Sequence, residues 1–164
     1  MKLLERYDAI LKRVAEEVAS LYGPRLVACA VFGSVGRGTP RHDSDIDLLI
    51  VARDLPRGRF ARVEEFLPVE SRLEMDLRPV DDAAAPIELS PVFKTPEESE
   101  EGSPLFLDMV EDAKILVDAE GILARRLDRL RGRLKDLGAR RVWSGNAWYW
   151  ELKPDLRPGE VFAL

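Results

Sequence analysis

Two continuous apolar runs, Leu26 to Phe32 and Leu48 to Val51, bracket a segment that begins Gly33-Ser34 and ends Ser44-Asp45-Ile46-Asp47. Nothing else in the chain restricts the fold as much. An unbroken apolar run bounded by turn residues reads as a strand covered on both faces. Two such strands call for helical layers on either side of one sheet. Gly33-Ser34 turns the chain out of the first strand into a short helix, and Gly38-Thr39-Pro40 stops that helix. The second strand is expected from Asp45 to Val51. Side chains two apart on a strand share a face, so Asp45 and Asp47 point together while Ile46 anchors the strand in the core.

The flanks supply the covering helices. Leu3, Leu4, Tyr7, Ile10, Leu11, Val14, Val18 and Leu21 recur at three- and four-residue steps, and Gly23-Pro24 ends that stripe. After a turn at residues 54 to 58, Phe60, Val63, Phe66, Leu73, Leu77 and Val80 predict a second helix, kinked or divided at Pro68. Residues 81 to 86 read as a linker and Ile87 to Lys94 as a third strand. Thr95, Pro96 and Glu98 form a helix start with a capping box. Ser103-Pro104 opens a short helix to Asp112, and Ile115 to Asp118 is a short strand. A long helix runs from about Glu120 to Leu137 on a leucine stripe, and Gly138 caps it. Ala139 to Leu152 reads as a hairpin around Ser144-Gly145-Asn146 that holds all three tryptophans. The expected fold class is α/β (α+β): a mixed sheet with flanking helices over residues 1–118, then a helix-and-hairpin extension over 119–164 packed on the same core.

The signature segment carries the chemistry. A glycine lets the backbone approach a phosphate closely, and the start of a helix presents N–H groups to it. The Ser34 hydroxyl can donate to an outer phosphate oxygen. Two carboxylates on one strand face suit a hard divalent cation such as Mg²⁺. Together these groups describe a site for moving a phosphate-bearing group. The set Gly33-Ser34, Gly38 and Ser44-Asp45-Ile46-Asp47 resembles the signature of the DNA polymerase β-type nucleotidyltransferase superfamily, and looks most like its minimal bacterial and archaeal members. The resemblance implies the nucleotidyltransferase fold over about residues 20 to 95. It also implies Mg²⁺- or Mn²⁺-dependent transfer of a nucleoside monophosphate from a triphosphate to an acceptor hydroxyl. Asp45 and Asp47 would be catalytic metal ligands, and Gly33, Ser34 and Ser44 would bind the nucleotide. In that family a third carboxylate on a neighbouring strand completes the metal site. Glu88, the one acid inside a plausible later strand, is the first candidate, as both metal ligand and base. Asp76, in a segment that also alternates like a strand, is the second, and the position could lack an acid altogether.

Composition narrows the partners. With 34% charged and 46% hydrophobic residues among 164, the chain has a soluble balance. Its net charge of −5 argues against a dedicated nucleic-acid binder. The one cysteine, Cys29, allows no internal disulfide and fits a buried place in the first strand. With no signal peptide and no long apolar segment, a cytoplasmic location without a membrane is expected. His42, Arg37 and Arg41 stand in the signature loop, where an arginine could meet a triphosphate or an anionic acceptor. Lys94 is a weaker candidate. The basic stretch Arg125 to Lys135 reads first as a solvated helix face, and the tryptophans first as core. The chain shows no recognisable acceptor-binding domain, so a protein or RNA acceptor is expected, with a helical protein as one such partner. The rival reading, also implied by the resemblance, is a non-catalytic antitoxin-like module that neutralises a partner protein by contact. The third carboxylate separates the two.

Overall fold

A computed structural model of the protein describes residues 2–79, 85–101, 103–145 and 147–164. Helix α1 (Leu3–Tyr22) buries Tyr7, Ile10, Leu11, Val14, Val18 and Tyr22, the expected stripe. A 3-10 turn at Gly23–Arg25 leads into β1 (Leu26–Phe32), α2 (Gly33–Gly36) and β2 (Ile46–Ala52). Then come α3 (Arg59–Leu77), β3 (Leu89–Lys94), α4 (Pro96–Glu100), α5 (Pro104–Asp112), β4 (Lys114–Val117) and α6 (Ile122–Asp136). The hairpin β5 (Arg140–Ser144) and β6 (Ala147–Glu151) follows.

The four-stranded sheet has the order β3-β2-β1-β4. β1 is antiparallel to both β2 and β4, and β2 is parallel to β3, so the sheet is mixed. Each central strand divides its side chains between two cores. Cys29, Val31, Ile46, Leu48 and Ile50 pack under α1 and α3. Ala28, Ala30, Leu49 and Val51 pack under α5 and α6, with Phe106, Met109, Leu123 and Leu127. That double cover is why both strands read as unbroken apolar runs. By the same alternation Asp47 lies on the α5 side of the sheet, and Ile46 on the α1 side.

Two expectations are corrected, and of the kink or division expected at Pro68 the division does not occur. α3 continues through Pro68 without division. An internal proline costs about 3 kcal/mol, whereas α3 buries Phe66, Val69, Leu73 and Leu77, each contributing about 1.5–3 kcal/mol. Pro68 and Glu64, whose carbonyl the proline leaves unpaired, are both exposed, so water can satisfy the freed group. Phe60 does not join the apolar face of α3; it is 93% exposed. The third strand starts at Leu89, two residues late, because Ile87 instead donates its N–H to the Leu77 carbonyl at 2.9 Å. Val80 and most of the 81–86 linker lie outside the described residues.

Candidate active site

The register of β1 against β2 sets Phe32 opposite Asp47. The next residue, Gly33, therefore falls against the Asp47 carboxylate. Gly33 holds φ +67°, the left-handed region open to glycine. A Cβ there would also collide with an Asp47 carboxylate oxygen. Both facts require glycine, and the second puts the turn's backbone against one of the two acids. Ser34 Oγ–H donates to Ser44 Oγ at 3.1 Å, and Ser44 Oγ accepts the Arg41 N–H at 2.8 Å. The Tyr7 hydroxyl of α1 donates to the Ser44 and Arg41 carbonyls, at 2.7 and 3.0 Å. Burial raises the Tyr7 phenol, which keeps its proton for those bonds. The structure thus gathers Gly33, Ser34, Ser44 and Asp47, and Tyr7 pins their loop to the first helix.

Asp45 stands exposed one residue before β2, and Asp47 is half-buried within it. Burial raises the Asp47 carboxyl, the Asp45 charge raises it further, and Arg37 draws it back. Two like-charged carboxylates with one drawn out of water form a donor set that a hard divalent cation would relieve. Gly33, lacking a side chain, leaves the Asp47 carboxylate its place. These residues fit the metal that the signature implies.

Glu88 is positioned through β3. β2 and β3 pair Ile46 with Leu89 and Asp47 with Ser90, and the Ile46 N–H donates to the Glu88 carbonyl at 2.9 Å. Glu88 therefore lies across from Asp45 and, by strand alternation, on the face of both aspartates. Its neighbours Ile87 and Leu89 join the opposite core. The Glu88 side chain is exposed, and among the described residues no three acidic, histidine or cysteine side chains converge enough to hold a metal ion. Asp76 sits in α3, where it faces Arg13 of α1 at 3.9 Å. That segment is helix, which takes Asp76 to the far side of the sheet.

Residues 11–117 match the family model of the nucleotidyltransferase domain. The chain belongs to the nucleotidyltransferase-domain family. A protein from Methanocaldococcus jannaschii, provisionally named a protein adenylyltransferase, is 28% identical over 77% of this chain and 82% of its own length. The protein adenylyltransferase MntA of Thermococcus cleftensis is 35% identical over 47% of this chain and 77% of its own. A solved toxin–antitoxin complex with AMP-PNP aligns with 77% of this chain and 92% of its own, at 17% identity and a TM-score of 0.48. The relatives' names are those of enzymes, in line with the enzymatic reading of the site.

In this nucleotidyltransferase-family chain, residues that the sequence did not announce make contacts next to the signature residues. Asp112, the last residue of α5, is 2% exposed and accepts from two arginines. Arg37 Nη1 reaches one carboxylate oxygen at 2.5 Å and Arg141 Nη1 the other at 3.1 Å. The Arg141 guanidinium lies 4.2 Å from the Trp148 ring centroid. Tyr7, Asp112 and Arg141 look in sequence like ordinary helix and strand residues, and no local pattern could have found them. His42, in the signature loop, is exposed. Lys94 is six residues beyond Glu88, about 20 Å along an extended strand. Cys29 is fully buried, which pushes its thiol up to about 12. Arg126 and Arg129 of α6 pair with Glu100, and Arg131 with Asp128. A cavity of about 700 Å³ between α5 and α6, lined by Phe106, Leu107, Arg126 and Leu130 among others, includes none of the signature residues. Among the described residues no helix is long and apolar enough to cross a membrane.

Proposed function

We propose that this chain is a protein adenylyltransferase that uses Mg²⁺ or Mn²⁺. It would transfer the adenylyl group of ATP to a hydroxyl on a partner protein. The observation that carries the reading is the contact of Gly33 with Asp47, which joins a phosphate cradle to a carboxylate pair in one place. The names of the two curated relatives support the nucleotide and the class of acceptor. Gly33 and Ser34 bind the outer phosphates, and Ser44 holds Ser34 in position. Asp45 and Asp47 hold the divalent cation, which supplies charge neutralisation to the triphosphate and acidity to the attacking hydroxyl. Glu88 is the third carboxylate, turning inward from its place across from Asp45 to receive the hydroxyl proton. The acceptor oxygen forms its bond to the α-phosphorus as the bond to the bridging oxygen breaks, and pyrophosphate leaves in line.

The test has two arms. Thermal stability is measured with ATP, with and without Mg²⁺, for the wild type and for Asp45→Asn/Asp47→Asn. Metal-dependent stabilisation in the wild type and none in the variant is expected, because a ligand of the folded state stabilises by mass action. Adenylyl transfer to candidate helical partner proteins is then followed by intact mass. Metal-dependent ATP binding without transfer to any partner, the partner being inhibited by contact alone, would favour the non-catalytic antitoxin-like reading.

A further inference from the structure

Arg37 stands between two demands. It follows α2 directly and donates its backbone N–H to the Gly33 carbonyl at 3.0 Å, so it stands one turn from the glycine that lies against the Asp47 carboxylate. Yet its guanidinium is committed to Asp112 at 2.5 Å. The backbones meet at the same point: a Cβ on Gly36 would collide with the Asp112 carbonyl oxygen. Left without Asp112, a long guanidinium side chain one turn from two carboxylates would be drawn to them, since the planar fork matches a carboxylate in two bonds. A divalent cation would then have to displace it. Asp112 in turn is a buried charge, which requires partners on both oxygens. Arg141 of the hairpin supplies the second, and Trp148 backs it.

We propose that Asp112 is a positioning residue of the transfer site: it holds Arg37 away from Asp45 and Asp47, so that the pair stays open to metal while a positive charge stays beside the triphosphate. Arg141 fixes Asp112 from the other side. The C-terminal hairpin, outside the matched family span, thereby becomes a working part of the site. This inference rests on Asp45 and Asp47 being the metal ligands.

Mn²⁺ alone is the probe, with its free-ion electron paramagnetic resonance signal as the readout. The wild type, Asp45→Asn/Asp47→Asn, Asp112→Asn, Arg37→Met and Asp112→Asn/Arg37→Met are titrated, with circular dichroism to follow the fold. Asp112→Asn keeps the shape of the side chain but releases Arg37. Its Mn²⁺ affinity should fall roughly ten- to hundred-fold, the worth of a charged hydrogen-bonded pair. Removing Arg37 as well should restore affinity to near that of the wild type, a rescue that a purely structural aspartate would not show. Arg37→Met alone should leave Mn²⁺ binding intact or tighter and weaken ATP, which keeps the inference testable if Asp112→Asn does not fold. Wild-type Mn²⁺ affinity in a folded Asp112→Asn, or a loss that Arg37→Met does not rescue, or a loss in Arg37→Met itself, would overturn it. A wild type with no Mn²⁺ site that Asp45→Asn/Asp47→Asn removes would instead strike the proposed function, and this inference along with it.

Discussion

Gly33→Ala should damage this protein twice, and the two costs can be separated. The first is conformational. Gly33 holds φ +67°, and an L-residue in that region costs about 1–2 kcal/mol. The second is a collision of the new methyl with the Asp47 carboxylate. Relieving it turns Asp47 off its rotamer, at about 0.5–1.5 kcal/mol, and moves it out of the metal site. Gly38 is the control. It also has a positive φ, +75°, but a Cβ there meets nothing within 4 Å. Urea unfolding should therefore show Gly38→Ala losing about 1–2 kcal/mol and Gly33→Ala losing about 1.5–3.5 kcal/mol. The sharper readout is the ligand. Mg²⁺-dependent stabilisation by ATP should persist in Gly38→Ala and vanish in Gly33→Ala. If Gly33→Ala is no less stable than Gly38→Ala and still gains full stability from Mg²⁺ and ATP, the contact between turn and carboxylate does not matter to the site.

Asp47→Asn should make the metal-free protein more stable at neutral pH. The folded Asp47 carboxyl is raised by burial and by Asp45, so the stability it contributes is full below the ordinary aspartate range and is lost as pH rises through its folded value. Urea midpoints should favour the variant at pH 7, and that advantage should disappear below about pH 3.9; an Asp47→Asn protein less stable at pH 7 would contradict this. Ser34→Ala should weaken ATP binding by about 0.5–1.5 kcal/mol and AMP binding by less, as measured by calorimetry, because the cradle serves the outer phosphates. Glu88→Gln should leave ATP affinity within about two-fold and cut the transfer rate in single-turnover assays by about 10²–10⁴, the usual worth of a general base. Unchanged transfer would remove Glu88 from the chemistry.

Much of the architecture was legible because the signals were local. The apolar runs of β1 and β2, the Gly33-Ser34 turn, the Thr95 capping box and the α1 stripe each sit within a few residues of the structure they specify. The segment from Leu73 to Leu77 was open to two readings, since alternating charges there mimic a strand. Helical spacing decided it, and with it the place of Asp76. Phe60 was misplaced because periodicity says which residues could share a face, not where the neighbouring layer ends. The site was half legible. Asp45 and Asp47 share a face by pleat alone, and Glu88 follows once β3 is parallel to β2. The union of Arg37, Asp112 and Arg141 was not legible. Those residues lie far apart in the chain and meet only because α5 and α2 end at the same place and Arg141 of the hairpin reaches Asp112 there.

The pairing of Phe32 with Asp47 also makes the core the site's ruler. Sliding β1 by one residue along β2 would bring Ile46 or Leu48 under Gly33 in place of the carboxylate, because neighbouring strand residues face opposite ways. The alignment of the chemical groups is thus measured out by buried aliphatic side chains that never meet a ligand. Volume changes at Val31, Leu48 or Ile50 then act as errors of calibration. Transfer should fail in such variants while the fold still melts cooperatively, and the residues that tolerate least change for activity need not be those nearest the nucleotide.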